Sequence, residues 1–75
     1  MKDFIEVLNR ALPKIDFENE KSLVDDGLLD SLDIVSLISE LSDEYDVVIP
    51  PEEISPENFN SAEDIKAMVE RLLDE

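Results

Sequence analysis

Segment 27–35, which reads GLLDSLDIV, contains the residues of this chain whose types and spacing could take part in chemistry. It places Ser31 between Asp30 and Asp33, where a loop gives way to a helical pattern. Serine is a common helix N-cap, so a structural role would account for Ser31 by itself. A helix start also favours an anion, because free amides and the positive end of the helix dipole would stabilise a phosphodiester on that hydroxyl. The two carboxylates would oppose this charge, which suits them better to binding a metal or a basic enzyme.

Two residue types that enzymes often use for catalysis are missing. The chain has no histidine and no cysteine, so the usual general base, the usual zinc ligand and a thiolate nucleophile are all absent. Its 75 residues make one domain, 1–75, with little room for an active-site cleft beside a core. We therefore expect a protein that is not an enzyme and has no metal site.

The chain is strongly acidic. It has 21 acidic and 6 basic residues and a net charge of -15. This charge disfavours nucleic acids and anionic membranes and favours basic protein partners. No stretch approaches the roughly 20 apolar residues of a membrane span, and the N-terminus lacks the apolar core of a signal peptide. We expect a cytoplasmic monomer that binds no nucleic acid and does not insert stably into membranes.

Three segments have the apolar spacing of amphipathic helices, at about 2–12, 31–45 and 61–73. Pro13 ends the first, and Ser61 is placed to cap the third. A fourth, short helix is predicted at 51–54, followed by a turn at 56–60 with Phe59 pointing inward. The fold class is therefore all-α: a small bundle of three main helices plus a short fourth.

The long loop between the first two helices must pack against the bundle, since a structureless loop of this length is unusual in a small domain. Gly27 predicts a turn within it. The expected apolar anchors of the loop are Ile15, Phe17, Leu23, Leu28 and Leu29.

The helix at 31–45 has the clearest pattern, with either Asp30 or Ser31 as its N-cap. Its predicted core-facing residues are Leu32, Val35, Ile38, Leu41 and Tyr45, widened by Ile34 and Leu37. The polar remainder includes Asp33, Ser36, Glu40, Asp43 and Glu44.

The tripeptide at 30–32, DSL, resembles the modification motif of acyl carrier proteins and peptidyl carrier proteins. Gly27 upstream, the amphipathic helix downstream, and the segments 44–46, 48–50 and 59–61 are similar to the corresponding parts of that family. The tripeptide alone is a weak signal. The ordered set of features, which extends from about residue 23 to 73, is a strong one.

The resemblance implies that Ser31 is the attachment site for 4′-phosphopantetheine, which a phosphopantetheinyl transferase (holo-carrier synthase) takes from coenzyme A with the help of magnesium. Cargo would then be held as a thioester on the thiol of this arm. The missing cysteine and histidine become understandable, because the reactive sulfur would belong to the prosthetic group.

The resemblance also implies that an acidic helix 2 faces basic patches on acyl-transfer or ligase enzymes, whose brief encounters electrostatic steering would speed. The candidates for partner recognition are Asp30, Asp33, Glu40, Asp43 and Glu44.

The identity of the cargo stays open at this stage. Fatty-acyl transport, in fatty acid or related biosynthesis, is placed slightly ahead, and an aminoacyl carrier of the D-alanyl type, loaded by a stand-alone adenylating ligase, is the alternative. Ser36, Ser39 and Ser42 depart from the fatty-acid pattern, and segment 56–61 is closer to carriers that serve such ligases. A lipid-holding cavity could be lined by Leu32, Val35, Leu41, Ile49, Ile54, Ala62 and Ile65.

Functions of three other classes fit the sequence to different degrees. An EF-hand fails, because aligning Gly27 with its glycine puts Ser22 and Val24 at the first and third ligand positions. A self-contained hydrolase lacks its histidine or cysteine. An acidic helical adaptor is compatible with the composition, and Ser31 separates the two classes: an adaptor should tolerate Ser31→Ala, whereas a carrier should lose all function.

Overall fold

A computed structural model of the chain describes residues 4–74, which form four α-helices and one 3₁₀ turn. The helices are α1 (Phe4–Ala11), α2 (Ser31–Tyr45), α3 (Pro56–Phe59) and α4 (Ala62–Asp74), and the 3₁₀ turn is Pro51–Glu53. Within the described range no residue is in a β-strand. The predicted all-α bundle of three main helices plus a short fourth is confirmed.

Helix α1 packs along α2 and buries Phe4, Val7 and Leu8. The amide of Leu12 still donates to the carbonyl of Leu8 at 2.9 Å, and the ladder ends there because Pro13 has no amide hydrogen. The predicted end of this helix is therefore accurate to a residue. Its predicted start at residue 2 lies outside the described residues.

The loop from α1 to α2 is packed, as the sequence predicts, but with one anchor fewer. Phe17, Leu23 and Leu29 are buried, and Ile15 is half-buried. Leu28 is 42% exposed, so its assignment as an anchor is wrong. The amides of residues 28 and 29 both donate to the Leu23 carbonyl, at 2.8 and 3.0 Å, and in this turn the Leu29 side chain is directed into the core whereas that of Leu28 faces solvent.

Helix α2 has the predicted bounds, but the predicted core-facing stripe is only partly correct. Leu37 and Leu41 are buried, whereas Leu32 and Val35 are 77% and 61% exposed. From Leu32 to Leu41 the predicted stripe advances in steps of three residues, and each such step falls about 60° short of a full helical turn. Three steps rotate the direction by about 180°, so Leu32 and Leu41 lie on opposite sides of α2. The half-buried members are Ile34, Ile38 and Tyr45.

The segment between α2 and α4 differs from the prediction in the position of its short helix. Residues 51–53 form only a 3₁₀ turn, and the four-residue helix is Pro56–Phe59, where the sequence predicted a turn. Both begin with proline, whose fixed φ suits a first helical turn, so the residue type did not distinguish them. Phe59 is fully buried, as predicted.

Helix α4 begins after Ser61, whose hydroxyl accepts a hydrogen bond from the amide of Asp64 at 3.1 Å. The predicted cap is thus confirmed. Ile65, Met68 and Val69 of α4 are buried against the other helices. None of the helices described between residues 4 and 74 is long and apolar enough to cross a membrane.

Candidate functional site

The start of α2 is capped by Asp30 rather than by Ser31. The Asp30 carboxylate accepts from the amide of Asp33 at 2.9 Å, and the Asp33 carboxylate accepts from the amide of Asp30 at 3.4 Å. This reciprocal pair is a capping box, and the carbonyl of Asp30 accepts the first helical bond from Ile34 at 3.0 Å. Both carboxylates therefore have a structural function in addition to any role in recognition.

Ser31 is the first residue within α2, and its side chain is exposed. Its hydroxyl makes no hydrogen bond with any residue of the described range, because the capping function has gone to Asp30. The interpretation of Ser31 as a helix cap is therefore wrong. The hydroxyl is available for reaction with a group that approaches from solvent.

The environment of Ser31 fits a phosphodiester. The amides of Ser31 and Leu32 precede the first intrahelical hydrogen bond and have no acceptor among residues 4–74. They lie at the N-terminal end of α2, which is 15 residues long, and there the helix dipole favours an anion. The negative charges of Asp30 and Asp33 disfavour an anion nearby, but both carboxylates accept hydrogen bonds from backbone amides in the capping box.

The exposed surface of α2 that follows Ser31 is neutral and partly apolar. We call this surface the open face of α2; it consists of Leu32, Val35, Ser36 and Ser39. These four residues carry no charge, although the chain as a whole has a net charge of -15, and the next exposed residue on this side of α2 is Asp43, one turn beyond Ser39. The apolar pattern predicts Leu32 and Val35 in the core, so it does not reveal this surface. The surface can be predicted when each residue of α2 is assigned its angle around the helix axis, measured from the centre of the apolar pattern.

The predicted acidic recognition residues do not form one cluster. Arg10 of α1 contacts Glu40 and Glu44, with Nε–Oε2 and Nη2–Oε1 distances of 3.2 and 2.7 Å. These two carboxylates thus lie on the flank of α2 that faces α1. Asp43 is exposed and forms no ion pair with the described residues, and Asp30 and Asp33 lie at the helix start. Only Asp43 borders the open face without a structural contact.

A surface groove with a volume of about 330 Å³ lies between the end of α1 and the start of α2. Leu12, Ile15 and Leu28 make it largely apolar, and Lys14 and Asp33 add one charge of each sign. It does not coincide with the predicted lipid-holding cavity. Of the residues proposed for that cavity, Leu32, Val35 and Ile54 are exposed, and the others are packed in the core: Leu41, Ile49, Ala62 and Ile65.

No metal-binding site is visible in the part of the chain that the structure describes. No group of three or more acidic side chains between residues 4 and 74 converges on a common point.

Comparison with known proteins gives a consistent result. The family model described as "Phosphopantetheine attachment site" matches residues 2–72. The D-alanyl carrier protein of Lactococcus lactis subsp. cremoris (strain MG1363) is 38% identical over 56 residues, which cover 75% of this chain and 71% of the relative. Aminoacyl carrier protein 1 of Bradyrhizobium diazoefficiens is 44% identical over 63 residues, 84% of this chain and 69% of the relative. Aminoacyl carrier protein 2 of that organism is 38% identical over 69 residues, 92% and 73% of the two chains.

Proposed function

The chain belongs to the phosphopantetheine attachment site family, and from this premise we propose that it is an aminoacyl carrier protein whose prosthetic group is attached to Ser31. Membership of the family implies covalently attached 4′-phosphopantetheine. The attachment residue, the class of cargo and the partner enzymes belong to the proposal.

One observation carries the assignment of Ser31. A serine at a helix start ordinarily has a capping function, but here Asp30 performs it, which leaves an exposed hydroxyl at the positive end of α2 with no structural contact. Ser22, Ser36, Ser39, Ser42, Ser55 and Ser61 are the other serines of the chain, and none of them is the first residue of a main helix.

When the group is bound, its thiol supplies the sulfur on which cargo is held as a thioester. The chain's own contribution is positional. The Asp30–Asp33 capping box orders the first turn of α2, and the turn presents the Ser31 oxygen to solvent. The chain has neither histidine nor cysteine, so catalysis of loading and transfer falls to partner enzymes.

The choice of an aminoacyl cargo rests on the relatives and on the sequence. The relatives above are named as D-alanyl and aminoacyl carrier proteins. These names support the alternative of the sequence analysis over fatty-acyl transport, which was placed slightly ahead. The serines at 36, 39 and 42 and the segment 56–61 point the same way.

A stand-alone adenylating ligase of this kind would approach the open face of α2. Leu32 and Val35 lie one and four residues beyond Ser31, so an enzyme that reaches the Ser31 hydroxyl or its attached arm also meets these side chains. Apolar contacts at the centre with charges at the rim are the usual arrangement of a transient interface. Asp43 supplies one such rim charge, which favours a basic residue on the enzyme.

Attachment at Ser31 is tested by intact-mass measurement after incubation with coenzyme A, magnesium and a broad-specificity phosphopantetheinyl transferase. The wild-type protein should gain one phosphopantetheine group, and Ser31→Ala should gain none. Ser42→Ala is the matched control, because Ser42 is a serine of the same helix that does not belong to the open face. Modification of Ser31→Ala, or no gain in a folded, previously unmodified wild type, would reject Ser31 as the attachment site.

The cargo is tested on the protein once it carries the arm. A D-alanyl or aminoacyl ligase with ATP and its amino acid should add one residue through a bond that hydroxylamine cleaves, as expected of a thioester. A malonyl transferase with malonyl-coenzyme A serves as the fatty-acid comparison. Efficient malonylation without aminoacylation would return the assignment to fatty-acyl transport.

A further inference from the structure

Asn60, at the junction between α3 and α4, is the residue that joins this junction to the loop that precedes Ser31. Its side-chain oxygen accepts hydrogen bonds from the amides of Val24 and Asp25, at 2.9 and 3.1 Å. Its side-chain nitrogen donates to the Asp25 carboxylate at 3.1 Å. Its carbonyl accepts from the amide of Leu23 at 2.8 Å. One residue thus forms four hydrogen bonds with three consecutive loop residues.

The contacts of Asn60 continue towards Ser31 through the backbone. The Leu23 carbonyl accepts from the amides of Leu28 and Leu29, and this closes the turn that contains Gly27, whose φ of 76° favours glycine. Leu23 and Leu29 are buried, so the closed turn is attached to the core at both ends. The residue after Leu29 is the Asp30 cap of α2.

We propose that Asn60 is a positioning residue for the reactions at Ser31: it holds loop 23–30, and with it the first turn of α2, in the shape that partner enzymes bind. This inference rests on the proposed function. If the bonds to Asn60 are lost, loop 23–30 is free to open, and the protein is a competent substrate for only a fraction of the time. Its apparent affinity for an enzyme is the intrinsic affinity multiplied by that fraction.

Asn58 provides a matched control on the same stretch of chain. Its side-chain nitrogen donates to the carbonyl of Glu53 at 2.7 Å and to the Glu53 carboxylate at 3.2 Å. These bonds join α3 to the 3₁₀ turn and do not involve loop 23–30. Asn58→Ala and Asn60→Ala therefore remove the same side chain, two residues apart, but only Asn60→Ala removes the three side-chain bonds to the loop, leaving the backbone bond between the Leu23 amide and the residue 60 carbonyl.

The experiment is steady-state kinetics of phosphopantetheinylation by a broad-specificity transferase, with the apo protein as the varied substrate. Asn60→Ala should raise KM for the carrier about tenfold with kcat within about twofold, as expected for a reduced competent fraction. Asn58→Ala should leave both constants within about twofold of wild type. All variants are assayed well below their melting temperatures, so that global unfolding does not contribute.

Amide hydrogen exchange provides a second readout. In Asn60→Ala the amides of Leu28 and Leu29 should exchange about tenfold faster, whereas those of Leu37 and Leu41 in the middle of α2 should follow global stability. In Asn58→Ala the two loop amides should remain protected. A general loss of stability would instead accelerate all four amides together.

An exchange of functional groups tests the geometry directly. Asn60→Asp places two carboxylates next to each other and should raise KM about tenfold. The double variant Asn60→Asp, Asp25→Asn restores one amide and one carboxylate, with position 60 still accepting from both backbone amides, and should return KM to within about threefold of wild type. This pair also carries the test if Asn60→Ala does not fold.

The outcomes are distinct. If wild-type protein is not modified, the proposed function fails, and this inference fails with it. If wild type is modified but Asn60→Ala has a normal KM, or Asn58→Ala shows an equal rise, Asn60 is not a positioning residue. The absence of rescue in the double variant would likewise overturn the role assigned to the Asn60–Asp25 pair.

Discussion

The two exposed sides of α2 have opposite characters. On the flank facing α1, Glu40 and Glu44 are charged, and both contact Arg10. On the open face, Leu32 and Val35 are apolar, and solvent covers most of their surface. A helix so acidic suggests recognition by charge, yet two of its carboxylates already have a cationic partner within the chain, while its exposed apolar residues have none.

This difference shows that, in the search for a partner surface, the type of a residue is less informative than the contacts it already makes within the chain. An exposed ion pair contributes little to the free energy of unfolding. It nevertheless accounts for its carboxylates, because they already have a partner within the chain. An exposed leucine gains none of the roughly 1.5–3 kcal/mol that burial of its side chain would provide. The open face of α2 is therefore the more informative candidate for a partner surface, and the flank facing α1 is principally structural.

The largest effect is expected from two leucines of the same helix. Leu37 is fully buried, so Leu37→Ala should lower the free energy of unfolding by about 2–5 kcal/mol. Leu32→Ala should change it by less than about 0.5 kcal/mol, because the side chain is 77% exposed. Leu32→Ala should instead raise the KM of the loading ligase for the carrier about tenfold.

Urea denaturation and ligase kinetics measure these two quantities on the same preparations. Comparable destabilisation by the two substitutions would mean that Leu32 belongs to the core after all. A normal ligase KM for a folded Leu32→Ala variant would remove the open face as the docking surface.

A smaller effect should separate the acidic residues of α2. The double variant Glu40→Gln, Glu44→Gln removes both negative charges that face Arg10 and should cost at most about 1 kcal/mol of stability, with ligase KM within about twofold. Asp43→Asn should leave stability unchanged but raise ligase KM about threefold at low salt, because it removes an unpaired charge beside the open face.

The difference between these acidic variants should shrink in high salt, which screens exposed charges. Thermal unfolding and ligase kinetics at two ionic strengths provide the measurement. If the Glu40/Glu44 variant instead shows the larger, salt-dependent rise in KM, the flank facing α1 is part of the recognition surface, and the contrast between the two sides of α2 is wrong.

The smallest effect concerns Glu53, another carboxylate that already has a cationic partner within the fold. Arg71 donates two hydrogen bonds to Glu53, at 3.0 and 2.6 Å, and these bonds hold the pKa of the Glu53 carboxyl below its ordinary value. A carboxyl with a lowered pKa in the folded state stabilises the fold above the pKa of the unfolded chain. This contribution is lost as the pH falls through the folded-state pKa.

Glu53→Gln should therefore be less stable than wild type at neutral pH, and the difference should decrease below about pH 4.3, the ordinary glutamate pKa. Urea denaturation at a series of pH values measures the difference, and ligase KM at neutral pH should stay unchanged. A difference that is constant with pH would show that the ionised carboxylate is not what stabilises this contact.

The sequence predicted much of the fold and the chemically important residue. The end of α1 and the bounds of α2 and α4 could be located because Pro13, the capping residues and the apolar spacing are local signals. Ser31 could be singled out because it stands between a loop and a helix. The position of the short helix could not be predicted, since Pro51 and Pro56 each provide an equally good first turn. Nor could the cap be chosen between adjacent residues that both favour that position.

The sequence by itself determined the helical class, the bounds of α2, the absence of histidine and cysteine, and the candidate serine. The tertiary structure alone decided that Arg10 contacts Glu40 and Glu44, that Leu32 faces solvent, and that Asn60 forms hydrogen bonds with the loop before Ser31. The physical reason is one of range. Helix formation depends on residues within a turn of each other, whereas the direction of a side chain and the partner of a polar group depend on segments 30 or more residues away.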